Sequence, residues 1–328
     1  MTETKLDLLA IGDTTTDVFM GLKDASVIKQ PEKRGDKLCL RFGDKIAVES
    51  VQEIEGVGNA ANVAVGASRL GLKTGIWTIL GNDDDGQRIV SNVFEKEGVL
   101  SENVIFDQKE RTNYSLVLTY NAERTILSYH APRVYEWPQN MPEAKWVYFT
   151  SLGQNWEKII PDFLNYVQQI GCKVAFNPGS MQLRSKPEDL KNVLSVTDTL
   201  FVNREEAEKI CGCKTDSMKE LLIKTKETGP KNVVITDGVN GAHALLNEVY
   251  WTMPVLPTTV LERTGCGDSF ATGFLAALIF GKSDDEALLW GAENASSVIS
   301  YVGSRAGLLK RDVLLQNLEK QTIKAQKI

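Results

Sequence analysis

Six short runs of almost unbroken apolar and β-branched residues recur along this chain: Leu6–Ile11, Ile76–Leu80, Trp146–Thr150, Val174–Phe176, Thr199–Val202 and Val233–Thr236. A strand that alternates apolar and polar residues has one face in water, whereas a near-continuous apolar run suits a strand covered on both faces. Stretches with helical spacing separate several of these runs, the signature of a mostly parallel sheet flanked by helices. Two helices carry their own start signals. Ser283-Asp284-Asp285-Glu286 reads as a capping box before a helix over Ala287–Val302, and Ser217-Met218-Lys219-Glu220 as a second one. The chain is therefore expected to be α/β, and 328 residues hold one large domain with an accessory element, or two ordinary domains.

Two regions break this rhythm. Residues 14–55 contain no convincing helix and alternate Leu38, Leu40 and Phe42 with polar residues. Residues 112–130 read as a hairpin, two β-rich runs on either side of Asn121-Ala122-Glu123-Arg124. Both are expected to form a small β-sheet standing off the main domain as a lid, with 1–13, 56–111 and 131–328 as that domain. The alternative is a set of extra antiparallel strands on the edge of the main sheet. No linker, low-complexity tract or internal repeat divides the chain further.

The formal charge of −6 gives no reason to expect nucleic-acid binding, which relies on a basic surface. An anionic ligand must be held by local amides, a few cations and a metal ion. The run Leu6–Ile11 is too short for a signal peptide or a membrane span, and nothing later reaches eighteen apolar residues, so a cytoplasmic location without membrane contact is expected. Five scattered cysteines make no disulfide framework, and Cys211-Gly212-Cys213 lacks the second pair that a closed zinc site needs. With His130 and His243 as the two histidines, histidine-based acid–base or nucleophilic catalysis is not expected.

The most informative segment runs from Arg263 to Phe274 and contains Thr264-Gly265-Cys266-Gly267-Asp268. Two glycines around a small residue at the mouth of a helix leave backbone N–H groups bare. Such a helix start binds anions through unpaired amides and the positive end of the dipole. A carboxylate beside that anion hole, Asp268, can orient a hydroxyl and take its proton, which is what phosphoryl transfer requires. The same residues also fit a glycine-rich loop whose aspartate merely caps the helix. Local chemistry leaves both readings open.

This segment resembles the second signature of the ribokinase-like, or PfkB-type, carbohydrate kinases, D-T-x-G-A-G-D-x-F-x-x-G-F, and other elements of that family follow in order. Gly12-Asp13-Thr14-Thr15-Thr16-Asp17 is similar to the family's first strand and turn, and Gly56-Val57-Gly58-Asn59-Ala60-Ala61-Asn62 opens a run similar to its first signature. The resemblance implies a three-layer α/β fold with a mostly parallel sheet and a small β lid. It also implies ATP-dependent phosphorylation of a hydroxyl, with Asp268 as the base and the Gly265, Cys266 and Gly267 amides as the anion hole. Asp13, Asp17, Gly58, Asn59 and Asn62 would then face the substrate, although Asp17 also reads as a turn aspartate. Gly81-Asn82-Asp83-Asp84-Asp85-Gly86 matches a structural turn of the family.

Asn203-Arg204-Glu205-Glu206 matches the family's N-x-x-E element, which implies that Glu206 organises Mg²⁺ through water with Asn203 nearby; the same spacing is a helix-capping arrangement. Thr236, Gly238 and Gly241 lie in a strand and glycine turn that the resemblance sets against ATP, with Asn294 near the adenine; the turn equally suits a plain hairpin. Three positions depart from the pattern: Val57 stands where a second glycine is usual, Cys266 where alanine is, and Glu262 where aspartate helps bind a monovalent cation. A dinucleotide-dependent oxidoreductase would need G-x-G-x-x-G after the first strand, which Gly12-Asp13-Thr14 does not supply, and no Walker A pattern is present. A non-catalytic ligand-binding relative stays open. Asn59, where some phosphosugar-binding members carry lysine, and Glu123-Arg124-Thr125, which resembles the lid hairpin of sugar kinases, favour an unphosphorylated sugar. Phe176-Asn177-Pro178-Gly179 favours a nucleoside. Pairing of two copies through the lid edge is the one partner beyond small molecules that the resemblance suggests.

Overall fold

The computed structural model describes residues 5–30, 36–121 and 123–328. Its strands are β1 (Leu6–Ile11), β2 (Thr15–Leu22), β3 (Ser26–Ile28), β4 (Lys37–Cys39), β5 (Val48–Val57), β6 (Thr74–Gly81), β7 (Leu100–Asp107) and β8 (Asn113–Tyr120). They continue as β9 (Glu123–Tyr129), β10 (Ala144–Phe149), β11 (Lys173–Phe176), β12 (Thr199–Asn203), β13 (Asn232–Thr236), β14 (Ala242–Leu246), β15 (Val249–Met253) and β16 (Gln326–Lys327). Each of the six apolar runs falls on one strand of a ten-stranded sheet, ordered β16-β15-β14-β13-β12-β11-β10-β1-β6-β7. From β13 to β7 every neighbouring pair is parallel, and β14 to β16 close one edge antiparallel.

Side-chain alternation builds the three layers. On β10, Trp146 and Tyr148 join one apolar core while Val147 and Phe149 join the other. On β13, Val234 faces the first core, and Val233 and Ile235 the second. Helices Cys266–Ile279 and Asp284–Val298 cover the first face, packed so closely that a Cβ at Gly273 would lie 2.4 Å from the Trp290 carbonyl oxygen. Glycine there is a condition of the helix pair meeting.

Strand order turns round at β1. The chain runs outward through β6 and β7 on one side and through β10 to β13 on the other. In open α/β sheets the crevice at the carboxyl ends of the strands beside such a switch point is where ligands bind.

A separate four-stranded sheet, ordered β5-β2-β8-β9, contains β2 parallel to β8, with β5 and β9 antiparallel on its edges. The alternation through Leu40 and Phe42 does not extend a strand: β4 ends at Cys39 and pairs with β3 in its own ribbon, and Phe42 is fully exposed beside the turn at Gly43.

Two helix expectations need correction. The helix opened by Ser283 ends at Val298, not Val302, because Tyr301 N–H bonds the Val298 carbonyl and tightens the chain into a turn. Ser217 accepts from Glu220 N–H, yet the reciprocal half of the box is absent: the Glu220 carboxylate takes the Thr215 hydroxyl at 2.6 Å, and that hydroxyl oxygen accepts from Ser217 N–H.

Candidate active site

The helix Cys266–Ile279 starts at Gly265, whose left-handed backbone (φ 76°) no ordinary residue adopts cheaply. A Cβ at Gly265 would also sit 2.4 Å from Ser304 Cβ, so glycine at this position serves the turn and its contact with Ser304 and not the approach of an anion. Gly267 is different. A Cβ there would meet nothing within 4 Å, so a side chain would project into open cleft. Gly267 and Asp268 lie in the first helical turn, where N–H groups have no intrahelical acceptor. Burial, and after it the charge of Asp268, pushes the Cys266 thiol up, leaving it neutral.

These residues line a cavity of about 800 Å³. Asn203 at the end of β12 and Glu206 in the first turn of the helix Arg204–Cys211, and Thr236, Gly238 and Gly241 around the β13–β14 turn, line it too, with Asn59 from the start of the helix Asn59–Arg69. Asn203 and Glu206 form a reciprocal cap, each side chain accepting the other's backbone N–H at 2.9 Å. Residues 233–236 pair antiparallel with residues 242–245, so that turn has its structural role as well.

Asp268 is 7% exposed, and burial pushes its carboxyl up to about 6, offset by a hydrogen bond from Asn62 and raised again by the charge of Glu206. Asn62 Nδ2 donates to Asp268 Oδ2 at 2.8 Å, while Ser304 Oγ donates to Asn62 Oδ1 at 2.8 Å. Among the described residues no donor reaches Asp268 Oδ1. The aspartate is thus fixed through one oxygen and open through the other.

The residues expected at a substrate divide into four groups. Asn59 reaches the cavity and donates to Asn177 Oδ1 at 2.8 Å. Asp17, on β2 and paired in register with Ser115, is partly buried, and burial pushes it up to about 6. Asn62 and Asp13 point inward: Asn62 spends both polar ends on Asp268 and Ser304, and Asp13 accepts the Tyr135 hydroxyl at 2.8 Å, with its other oxygen buried. Gly58, at φ 107° and with the Asp13 carbonyl oxygen 2.9 Å from its would-be Cβ, shapes the turn. Val57 beside it ends β5 and pairs with Thr15, next to a register shift between Thr15 and Asp17. Asn294 does not line the cavity. It is fully buried, donating to the Ser269 carbonyl at 2.8 Å and accepting Leu309 N–H at 3.0 Å.

Sequence reasoning read Asn177 only within Phe176-Asn177-Pro178-Gly179, as a sign of a nucleoside, and gave it no contact of its own. It follows β11, donates to the Phe201 carbonyl and lines the cavity; a polar residue directly after a buried parallel strand is the signal that could have found it. It also passed over the apolar wall Met253-Pro254-Val255-Leu256-Pro257, whose place on the cavity is set by where β15 ends.

The family model described as pfkB family carbohydrate kinase matches residues 27–311. The chain is 24% identical over 283 residues to the bifunctional ribokinase/ribose-5-phosphate isomerase A of Fructilactobacillus sanfranciscensis, covering 83% of this chain and 51%, about half, of that relative's length. It is 26% identical over 308 residues to a nucleoside kinase of Methanothermobacter thermautotrophicus, covering 92% of both. Its fold is that of an Arabidopsis thaliana ribokinase solved with ribose and ATP, with a TM-score of 0.80 at 22% identity, over 96% of this chain and 99% of the other.

Proposed function

The chain belongs to the pfkB family of carbohydrate kinases, and on that premise we propose that it transfers the γ-phosphoryl group of ATP to a hydroxyl of a small unphosphorylated sugar. The observation that carries this reading is Asp268, buried, held through one oxygen by Asn62 and set in the first turn of a helix whose Gly267 leaves the approach open. Asp268 accepts the proton of the acceptor hydroxyl as the new O–P bond forms and ADP departs. The Gly265 and Gly267 amides face the charge that develops on the phosphoryl oxygens, whereas the Cys266 N–H already donates to the Arg263 carbonyl at 3.4 Å. Thr236, Gly238 and Gly241 flank the nucleotide, and the apolar wall from Met253 to Pro257 covers its base. The cytoplasm is the expected setting; no helix among the described residues is long and apolar enough to cross a membrane.

The residues fit a Mg²⁺ ion. The charge of Glu206 raises Asp268 across the cavity, a repulsion that a divalent cation relieves. Glu206, with Asn203 beside it, would hold the ion through water, and the ion would neutralise phosphate charge.

Asn59 and Asp17 supply the hydroxyl contacts under the four-stranded sheet, which acts as a lid over the cleft. Two outer strands of that sheet are exposed, with Val51 on β5 and Ile126, Leu127 and Tyr129 on β9 open to solvent, and an open edge of this kind invites a second copy of the chain. A nucleoside is the second reading, favoured by the full-length similarity to a nucleoside kinase. An ADP-release assay over ribose, fructose, glucose, sugar acids, phosphosugars and nucleosides decides between them. Release with nucleosides alone would overturn the sugar reading, and no release with any acceptor would favour a non-catalytic relative.

A further inference from the structure

Glu262 lies on the segment that leads into the catalytic helix, and its side chain is 12% exposed. Its Oε1 accepts three donors: Arg124 Nη1 at 3.0 Å, Thr264 N–H at 3.0 Å and the Thr264 hydroxyl. Its Oε2 accepts Gly303 N–H at 2.8 Å. A carboxylate offers about four lone-pair sites; here Oε1 is crowded by three donors from within the chain, and Oε2 takes one and keeps a lone pair. A monovalent cation, which the family implies at this position, would meet one remaining lone pair on Oε2 and the positive charge of the Arg124 guanidinium 3.0 Å from Oε1. The residues do not fit the ion.

Arg124 comes from the far side of the cleft. It is the second residue of β9, on the lid hairpin, 138 positions from Glu262. Glu262 also ties down the turn at Gly303, against which the lid strand β5 packs: a Cβ on Gly303 would lie 2.3 Å from Ile54 Cδ1. One carboxylate therefore joins a lid strand, the residue before the Gly265 helix start and the turn beneath the other edge of the lid. Burial pushes Asp17 up to about 6, and the charge of Glu262 adds to that push. Drawing Arg124 away would leave Glu262 half-shielded beside a second carboxylate, whereas guanidinium keeps its charge at every working pH.

We propose that Arg124 is a positioning residue whose ion pair with Glu262 stands in for a bound monovalent cation and couples the closed lid to the phosphoryl-binding loop. This rests on the kinase reading above, since the coupling matters when an acceptor lies beneath the lid. The pair sets the Thr264–Asp268 loop in place as the lid comes down. Opening the lid releases it.

The test uses the full chain with Arg124→Met, which keeps the stem and removes the charge, and Arg124→Lys, which restores the charge. Backbone hydrogen exchange needs no substrate. In Arg124→Met, exchange should rise in residues 263–268 as well as in the hairpin 113–129, and Arg124→Lys should reverse most of it. Loosening of the hairpin alone would overturn the coupling. In the ADP-release assay, Arg124→Met should lower kcat/KM for the acceptor by roughly tenfold while KM for ATP moves little. Wild-type rates should agree in potassium and tetramethylammonium chloride at equal ionic strength; stimulation by K⁺ would overturn the substitution of arginine for the ion. If no acceptor supports turnover, the kinase reading fails, and the exchange measurement still decides the coupling.

Discussion

Asn62 Nδ2 and Asp268 Oδ2 lie 2.8 Å apart, a hydrogen bond between the starts of two helices 206 positions apart in the chain. An ionised carboxylate only accepts, so it sets the flip state of Asn62 with the NH₂ group toward Asp268, and the Ser304 hydroxyl, able to donate or accept, turns to donate to Oδ1. The bond stabilises charged Asp268 against the burial that disfavours it.

Replacing Asn62 by Leu should lower kcat/KM by roughly 10- to 100-fold, since a buried carboxylate then loses its donor and its aim. Asn62→Asp should do something different. A second carboxylate would raise the pKa of Asp268 further, so the acid limb of the kcat/KM profile should move to higher pH. A profile unchanged in Asn62→Asp would mean that the limb belongs to another group.

Asp268→Asn should abolish turnover while leaving ATP binding nearly intact, measured by calorimetry. It should also stabilise the fold at pH 8. The folded-state value of about 6 stands above the unfolded value of 3.8, so the folded chain binds more protons between them, and stability falls as pH rises through that window. Removing the charge should return about 1–3 kcal/mol at pH 8 and nothing below pH 3.8. Denaturant titrations at the two pH values check the sign.

The two glycines of the loop should fail in different ways. Gly265→Ala places a Cβ on a left-handed residue and against Ser304, so it should lower Tm markedly. Gly267→Ala should leave Tm nearly unchanged and slow turnover, because its methyl group enters open cleft. Equal loss of Tm in both would remove the argument that Gly267 is kept open for a ligand.

Glu206→Gln keeps an oxygen to accept Asn203 N–H, so the helix should stay capped. The Mg²⁺ concentration needed for half-maximal rate should rise, by roughly tenfold if the carboxylate organises the ion's waters. An unaltered Mg²⁺ titration would leave Glu206 with its cap alone.

If a second copy covers the lid sheet, light scattering should give twice the chain mass, and Leu127→Glu with Tyr129→Glu on β9 should return it to a monomer. A wild-type monomer at micromolar concentration would end the pairing proposal.

The sheet was legible because burial on both faces leaves a mark in the chain itself. Leu6–Ile11 and its five counterparts had to be apolar throughout to lie between two helical layers, and each fell on one strand. The loop at Gly265–Asp268 was legible as a type, since glycines before a helix are a local feature. Its two glycines, identical in sequence, serve different purposes, and that depends on Ser304, 39 positions after Gly265 for reasons of folding alone. Asn62, Asp13 and Asn294 looked like residues offered to a ligand, yet tertiary packing turned them inward, toward Asp268, Tyr135 and Ser269. Arg124 and Glu262 carry no local sign of each other. Periodicity and turn chemistry are short-range and are written in neighbouring residues, so the sequence by itself determined the layers, the strands and the glycine loop. Which polar side chain faces a ligand and which faces another part of the chain is a contest between distant partners, and only the tertiary structure decided it.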